Sequence, residues 1–384
     1  MKVISDVFGE ELLQKIPCHN SISNWVKKCG LEAYNKSGAS LENTDYAQII
    51  DESMMIGEEK LLLTIGVPAE HQKRPLKFSD AHILDLAVAK SWNGERVCKQ
   101  LEKAEKKVGH QPDYVISDNA SILKKGIREA KMNHQRDISH SLGMYLERTY
   151  KNAPDFSGYI KYLSQVKSKY CMTNIAYLLP PTQRTIARFL NLSSWVKWSA
   201  NMLKTYHLLE SKKARDIFTF VPANASLIDE LFDVVQCIEK LETICKHEGL
   251  STESHRKCVN HIRATLFRGN FRMKMLGGSI IGFFNEEIKL VNDKLKAHNN
   301  SSDIIESIFG KYKLRKSPNK LYGVTSNVLL IPLFTNLIDK KNERKFSYKY
   351  ALETTQISKV NKWCLENLSQ NLACRRSRCL NKVA

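Results

Sequence analysis

A chain of 384 residues with 59 Lys and Arg against 40 Asp and Glu, a formal net charge of +19, is long enough to bury a substantial core in two or three domains. No run of about 18 apolar residues occurs, which argues against a membrane-spanning helix, and no basic, apolar and small-residue leader opens the chain. The ten cysteines follow no regular framework, so reduced thiols in the cytoplasm are the expectation. Cys364, Cys374 and Cys379 lack the paired CxxC or HxxxH partners of a structural zinc site.

The charge is uneven. From Lys311 to Ala384 sixteen basic and four acidic residues give a local net charge of +12. Such an excess favours a polyanionic partner, bound through phosphate contacts and counterion release.

Taken in chain order, FGEELLQKI has helical apolar spacing and is ended by Pro17. A second helix follows, capped by Ser21 or Ser23 and stopped at Gly30, with Ile22, Trp25 and Val26 on one side and Lys27 and Lys28 on the other. This pair, in segment 1–44, reads either as the end of a helix-turn-helix whose second helix enters a major groove, or as amphipathic packing. YAQIIDESMMIG and EEKLLLTIGVPA form a predicted hairpin turning at Gly57 and Glu58, and HILDLAVAKS is a third strand. A charged helix closing at Gly109, the strand DYVISD, the helix SILKKGIREAKM, a short strand near RDISH and a helix from Ser141 complete residues 45–150. Three strands, then helix, strand, helix, strand, helix is the order of a ribonuclease H-like α/β fold with a mixed sheet. Residues 151–298 lose the strand signal and read as an all-helical insertion. HNNSSD leads back to the first fold at 299–340, and 341–384 is a basic tail with weak helices.

Three acids stand out. Asp51 interrupts an apolar strand, where a carboxylate is expensive to bury unless it is paired or binds a cation. The alternative is an outward-facing position, with neighbouring Glu52 as the inward acid. Asp118 ends a strand and starts a helix, which is the crevice position in α/β sheets and also an ordinary N-cap. Glu306 sits on a helix three residues after Asp303, ahead of Lys311 and Lys313. Its rivals are Glu286 and Glu287 in FFNEEIKL, whose surroundings read as a solvated helix face.

From about Asp45 to Leu337 the chain resembles the bacterial insertion-sequence transposases of the DDE class. The matching pieces are IIDES, VISDNASILKKGI, QRDISH and IIESIFGKYK. The resemblance implies that Asp51, Asp118 and Glu306 hold two divalent ions, Mg2+ or Mn2+, and catalyse in-line displacement at phosphorus. Water cleaves the strand first and the freed 3′-hydroxyl then attacks target DNA. Asp137 and His140 fall where such enzymes place an acid or Cys and a His, though strand-end and capping roles are the better explanation of them. The implied partners are double-stranded DNA, as transposon ends and target, and further copies of the chain in a dimer or larger assembly on the nucleoid. Lys311, Lys313, Arg315 and Lys316 are candidate backbone contacts. The resemblance to DDE enzymes whose insertions contact transposon ends makes Trp195 and Trp198 candidates for stacking on an unpaired base, but their spacing of three on an amphipathic helix reads more simply as core. A ribonuclease H-like nuclease or resolvase, and a DNA-binding domesticated form without cleavage, are the alternatives. A Tyr or Ser recombinase is disfavoured by the lack of a nucleophile motif. The N-terminal segment is short for a complete end-binding domain, which leaves room for an upstream portion.

Overall fold

The computed structural model describes residues 17–53, 55–182, 189, 192–291, 294–315, 323–336 and 346–369. The chain is α/β, with a five-stranded mixed sheet and a helical majority. Strands β1 (Tyr46–Glu52), β2 (Lys60–Pro68) and β3 (His82–Ala89) are antiparallel neighbours. β4 (Tyr114–Ser117) and β5 (His134–Arg136) run parallel to β1, giving the order β3-β2-β1-β4-β5. The β1–β2 connection turns at Gly57, whose φ of 64° suits a residue without Cβ. Leu61 to Val67 of β2 are all buried, as expected of a strand covered on both faces.

Two helices cover one face. α1 (His19–Lys36) brings Leu31 and Tyr34 against the side of the sheet that carries Ile49, Leu63 and Ile116. On the opposite face α2 (Gly94–Val108) and α3 (Ser121–Glu129) enclose Ile50, Leu62 and Val115 with Val97, Leu101 and Ile127. α4 (Ile138–Tyr150) follows β5. It starts three residues before Ser141 because Asp137 caps it, accepting from the His140 backbone N–H at 2.7 Å.

α1 departs from the sequence reading at both ends. FGEELLQKI lies outside the described residues. The helix begins at His19, with neither Ser21 nor Ser23 as cap, and runs through Gly30 to Lys36. Gly30 is there for close approach: a Cβ would meet the Leu329 carbonyl oxygen at 2.0 Å. A glycine that lets two backbones touch looks like a helix stop in sequence.

Beyond α4, residues form a helical body: α5 (Pro154–Tyr170), α6 (Leu192–Thr205), α7 (Lys212–Phe218), α8 (Phe220–Ala223), α9 (Ala225–Glu248), α10 (Thr252–Thr265) and α11 (Phe271–Glu287). Its core includes Ile138 and Leu142, so α4 belongs to both parts. Trp195 is buried here and Trp198 donates its indole N–H to the Leu178 carbonyl at 3.1 Å, which places both in packing. The chain returns through buried His298, Asn299 and Asn300. The Asn299 N–H donates to the Tyr114 hydroxyl at 2.8 Å, its side-chain amide donates to the Pro68 carbonyl at 2.9 Å, and the Ile138 N–H donates to the Asn300 carbonyl at 2.9 Å.

α12 (Asp303–Lys313) then lies on the α1 face of the sheet through Ile304, Ile305, Ile308 and Phe309. α13 (Ile331–Phe334), α14 (Tyr348–Thr354) and α15 (Ile357–Asn367) close over α1, with Ala351 and Val360 buried and Trp363 edge-on to Tyr34. Among the described residues no helix is long and apolar enough to cross a membrane. All described cysteines are free thiols.

Candidate active site

Strand register decides which acids meet. In the parallel β1–β4 pair Ile49 lies opposite Ile116, so two residues further on Asp51 is level with Asp118. In β4–β5 Ser117 lies opposite Arg136, so Asp118 is level with Asp137. Three aspartates therefore stand in a row where three parallel strands end, the edge at which α/β sheets place their ligands. Side chains alternate along a strand, so Asp51 shares the face of Ile49, the face that α12 covers. Glu52 points the other way and is ion-paired with Lys60. The inward acid of that neighbouring pair is Asp51.

The three aspartates have different surroundings. Asp51 accepts a hydrogen bond from the Glu52 N–H at 2.7 Å, and among the described residues no Lys or Arg forms a salt bridge with it. Burial, and then the Asp118 carboxylate beside it, push its pKa up to about 7, with Glu306 adding in the same direction. Asp118 accepts from the Ala120 N–H at 2.9 Å, a turn that opens α3 and leaves its second oxygen uncommitted to the backbone. Asp137 is fully used. Its carboxylate accepts from the His140 backbone at 2.7 Å, the His140 Nδ1 at 3.0 Å, the Ser302 N–H at 2.7 Å and the Ser302 hydroxyl at 2.9 Å. Burial works against its ionisation, but these donors hold its pKa below the ordinary value.

Asp137 thus fastens the first turn of α12 to the end of β5, and that fixes where Glu306 emerges. His140 joins the two: Nδ1 faces Asp137, and Nε2 lies 3.8 Å from Glu306 Oε1. The hydrogen bond to Asp137, opposed by burial and assisted by Glu306 and Asp118, lifts the imidazole pKa to about 9. Near neutral pH His140 is an imidazolium set among these acids. Loss of surrounding water raises the Glu306 pKa, against the pull of His140. Lys246 of α9 completes the surroundings by pairing with Asp303 at 2.8 Å.

The rival third acids lie elsewhere. Glu287 is buried and accepts from the Arg136 N–H at 2.9 Å, the Arg136 guanidinium and the Gln135 amide, while Glu286 pairs with the same guanidinium at 2.6 Å. Their role is to join α11 to β5. A helix face that reads as solvated is in fact an internal joint.

Among the described residues no three His, Cys, Asp or Glu side chains converge to ligand distance in this arrangement. The donors nearest to it are Asp51 and Asp118, with Glu306 turned toward His140.

The basic candidates occupy varied positions. Lys27 is half-buried, and Lys28 donates to the Leu352 carbonyl, which helps seat α1 under α14. Lys311 is exposed with its ammonium 3.6 Å over the Phe78 ring, Lys313 lies 5.8 Å from the Phe309 ring, and the Arg315 guanidinium 5.9 Å from Phe334. Lys316 lies outside the described residues. Sequence reasoning passed over Lys246 and Ser302. Ser302 carries the signal of a small polar residue ahead of an apolar helical run, whereas nothing in sequence links Lys246 to Asp303. The chain matches no protein-family model, and no curated protein matches it.

Proposed function

We propose that this protein is a metal-dependent DNA strand-cleaving and strand-transferring enzyme, a DDE transposase on a ribonuclease H-like core with a helical insertion. The observation that carries the reading is the register that sets Asp51 level with Asp118 at the ends of two adjacent parallel strands. An antiparallel β1–β2–β3 section joined to parallel β4 and β5 supports the ribonuclease H-like assignment. So does the return of α12, which brings Glu306 to the same edge after the helical body.

The donor set suits a hard divalent cation such as Mg2+ or Mn2+. Asp51 and Asp118 offer carboxylate oxygens with no salt-bridged Lys or Arg among the described residues, and the Asp118 charge raises the cost of ionising Asp51, which a cation relieves. Asp51 and Asp118 would hold the metal, with Glu306 as third ligand. When bound, a divalent ion supplies Lewis acidity toward a phosphoryl oxygen and lowers the pKa of water. The chain's own groups do the rest. Asp137 and Ser302 hold α12 in place, and the His140 imidazolium keeps Glu306 oriented and offers a proton at Nε2 beside the acids.

The test is nicking of supercoiled plasmid by the purified chain with Mg2+ or Mn2+, with EDTA, and with Asp118→Asn. Nicking that requires the metal and Asp118, followed by joining of DNA ends, supports the reading. Cleavage without joining supports the nuclease alternative, and DNA binding without any cleavage supports a non-catalytic DNA-binding protein.

A further inference from the structure

We infer that a basic groove along α3 is a second DNA-backbone contact, continuing the path of duplex DNA beyond the carboxylate edge. This rests on the reading of the protein as a DNA-cleaving enzyme and adds the path that the DNA takes. None of the basic residues marked by the sequence lies in this groove.

The groove has a volume of about 690 Å³, and Lys124, Lys125, Arg128, Lys131 and His134 are among the residues that line it. Lys125 is partnered by Glu129 at 3.8 Å. Lys124, Arg128 and Lys131 are exposed and have no carboxylate partner among the described residues. Elsewhere on the molecule exposed lysines repeatedly pair with acids, as Lys99 does with Glu95, Lys151 with Glu147 and Lys257 with Glu248. Three neighbouring cations left without acids make a local field that attracts a polyanion.

Spacing favours a DNA backbone over a small anion. Lys124 and Arg128 stand one turn apart on α3, roughly 6 Å along its axis or about two phosphate steps of one strand of B-DNA by axial rise, and Lys131 follows just beyond the C-terminal end of the helix. A small anion would need these groups to converge, whereas cations spread along and past a helix suit successive phosphates. The groove also joins the proposed site. α3 starts just after the Asp118 turn, and His134, on the groove wall, shares a 2.8 Å hydrogen bond with the hydroxyl of Ser117, the residue before Asp118.

Lys131 adds an independent mark. It sits at the left-handed position of a Schellman cap, with φ of 56°, its N–H donating to the Arg128 carbonyl at 3.1 Å and the Met132 N–H to the Ile127 carbonyl at 3.2 Å. Glycine is the usual residue there, so the lysine side chain is carried at a backbone cost that glycine would not incur. Lys131→Gly should therefore raise the melting temperature and weaken DNA binding together, a combination that a purely structural lysine would not give.

The experiment is fluorescence anisotropy of a mixed-sequence duplex without divalent metal, with salt varied between about 50 and 200 mM. For the variant Lys124→Ala, Arg128→Ala, Lys131→Ala the slope of log K against log salt should fall by about 3 in magnitude, with melting temperature unchanged or raised. A control removing equal charge from the helical body, Lys161→Ala, Lys240→Ala, Lys274→Ala, should keep a slope near that of the wild type. An unchanged slope in the groove variant, or an equal drop in the control, overturns the groove while leaving the function standing. Wild-type protein that binds no duplex at all overturns the function, and the groove with it.

Discussion

The acids at the carboxyl edge of the sheet and the acids at the joint between sheet and helical body have opposite surroundings. At the joint, Glu287 meets Arg136 and Gln135, and deeper in the helical body Glu230 accepts from the Tyr150 hydroxyl, Asn270 and Arg272. At the edge, Asp51 and Asp118 have no salt-bridged Lys or Arg among the described residues, and Glu306 shares the imidazolium of His140 with Asp137, with Lys246 acting from Asp303. The acids answered locally serve the fold, and those at the edge are the ones proposed to meet a divalent cation. That difference separates Glu306 from Glu287 far better than sequence context does.

Exchanging the two glutamates gives the largest expected effects. Glu287→Ala leaves the half-buried Arg136 with Glu286 alone and the Arg136 N–H and Gln135 amide without their acceptor, and should cost about 1–3 kcal/mol in stability, read by thermal or denaturant unfolding. Glu306, whose side chain keeps 53% of its surface exposed, should lose well under 1 kcal/mol on substitution by Ala. Its loss should instead lower metal-dependent cleavage by about 10³-fold, some 4 kcal/mol of barrier. If Glu306→Ala cleaves normally while a folded Glu287 variant does not, the assignment is reversed and the contrast between the regions collapses.

A smaller effect tests whether α1 belongs to the scaffold. Gly30→Ala places a methyl group against the Leu329 carbonyl and should destabilise by about 1–3 kcal/mol. Gly278→Ala, on α11 with open space around its Cβ, should do the reverse and stabilise by up to about 1 kcal/mol through helix propensity. Equal melting temperatures for the two variants would mean that α1 is not clamped against residues 326–330.

What could be read in the sequence follows the same division. The α/β class and the strand segments were legible because apolar runs, a Gly turn and capping residues are local signals. Asp51 was legible because a carboxylate in an apolar run has few reasons to be there. The joint was not. HNNSSD reads as a solvated linker, yet His298 stacks on Tyr114 at 4.1 Å, and Asn299 and Asn300 are buried, with hydrogen bonds that tie the returning chain to the sheet. Polar residues that satisfy buried backbone carry the same letters as polar residues in water. Likewise EE in FFNEEIKL looks solvated until β5, some 150 residues away, supplies Arg136.

The mildest prediction concerns a cation that breaks the pattern from the other side. Lys107 donates to the Leu84 carbonyl at 3.0 Å and lies 3.5 Å over the Tyr34 ring, while nearby Asp85 is taken by the Tyr34 hydroxyl at 2.6 Å and Lys103 at 2.8 Å. Burial, only partly offset by Asp85, pulls the Lys107 pKa down to about 7. A lysine with a folded pKa below its unfolded value binds its proton more weakly when folded. Its burial is therefore least costly at high pH, and stability falls as pH drops from about 10.5 toward 7, levelling off below. Lys107→Met keeps the stem and removes the titration, so it should stabilise by on the order of 1 kcal/mol near pH 7 and flatten the stability profile across that window. Lys107 lies at the α2 side of the sheet, away from the carboxylate edge, so cleavage should be unchanged. A loss of cleavage with stability intact would mean that an unanswered buried charge marks function on both sides of this sheet.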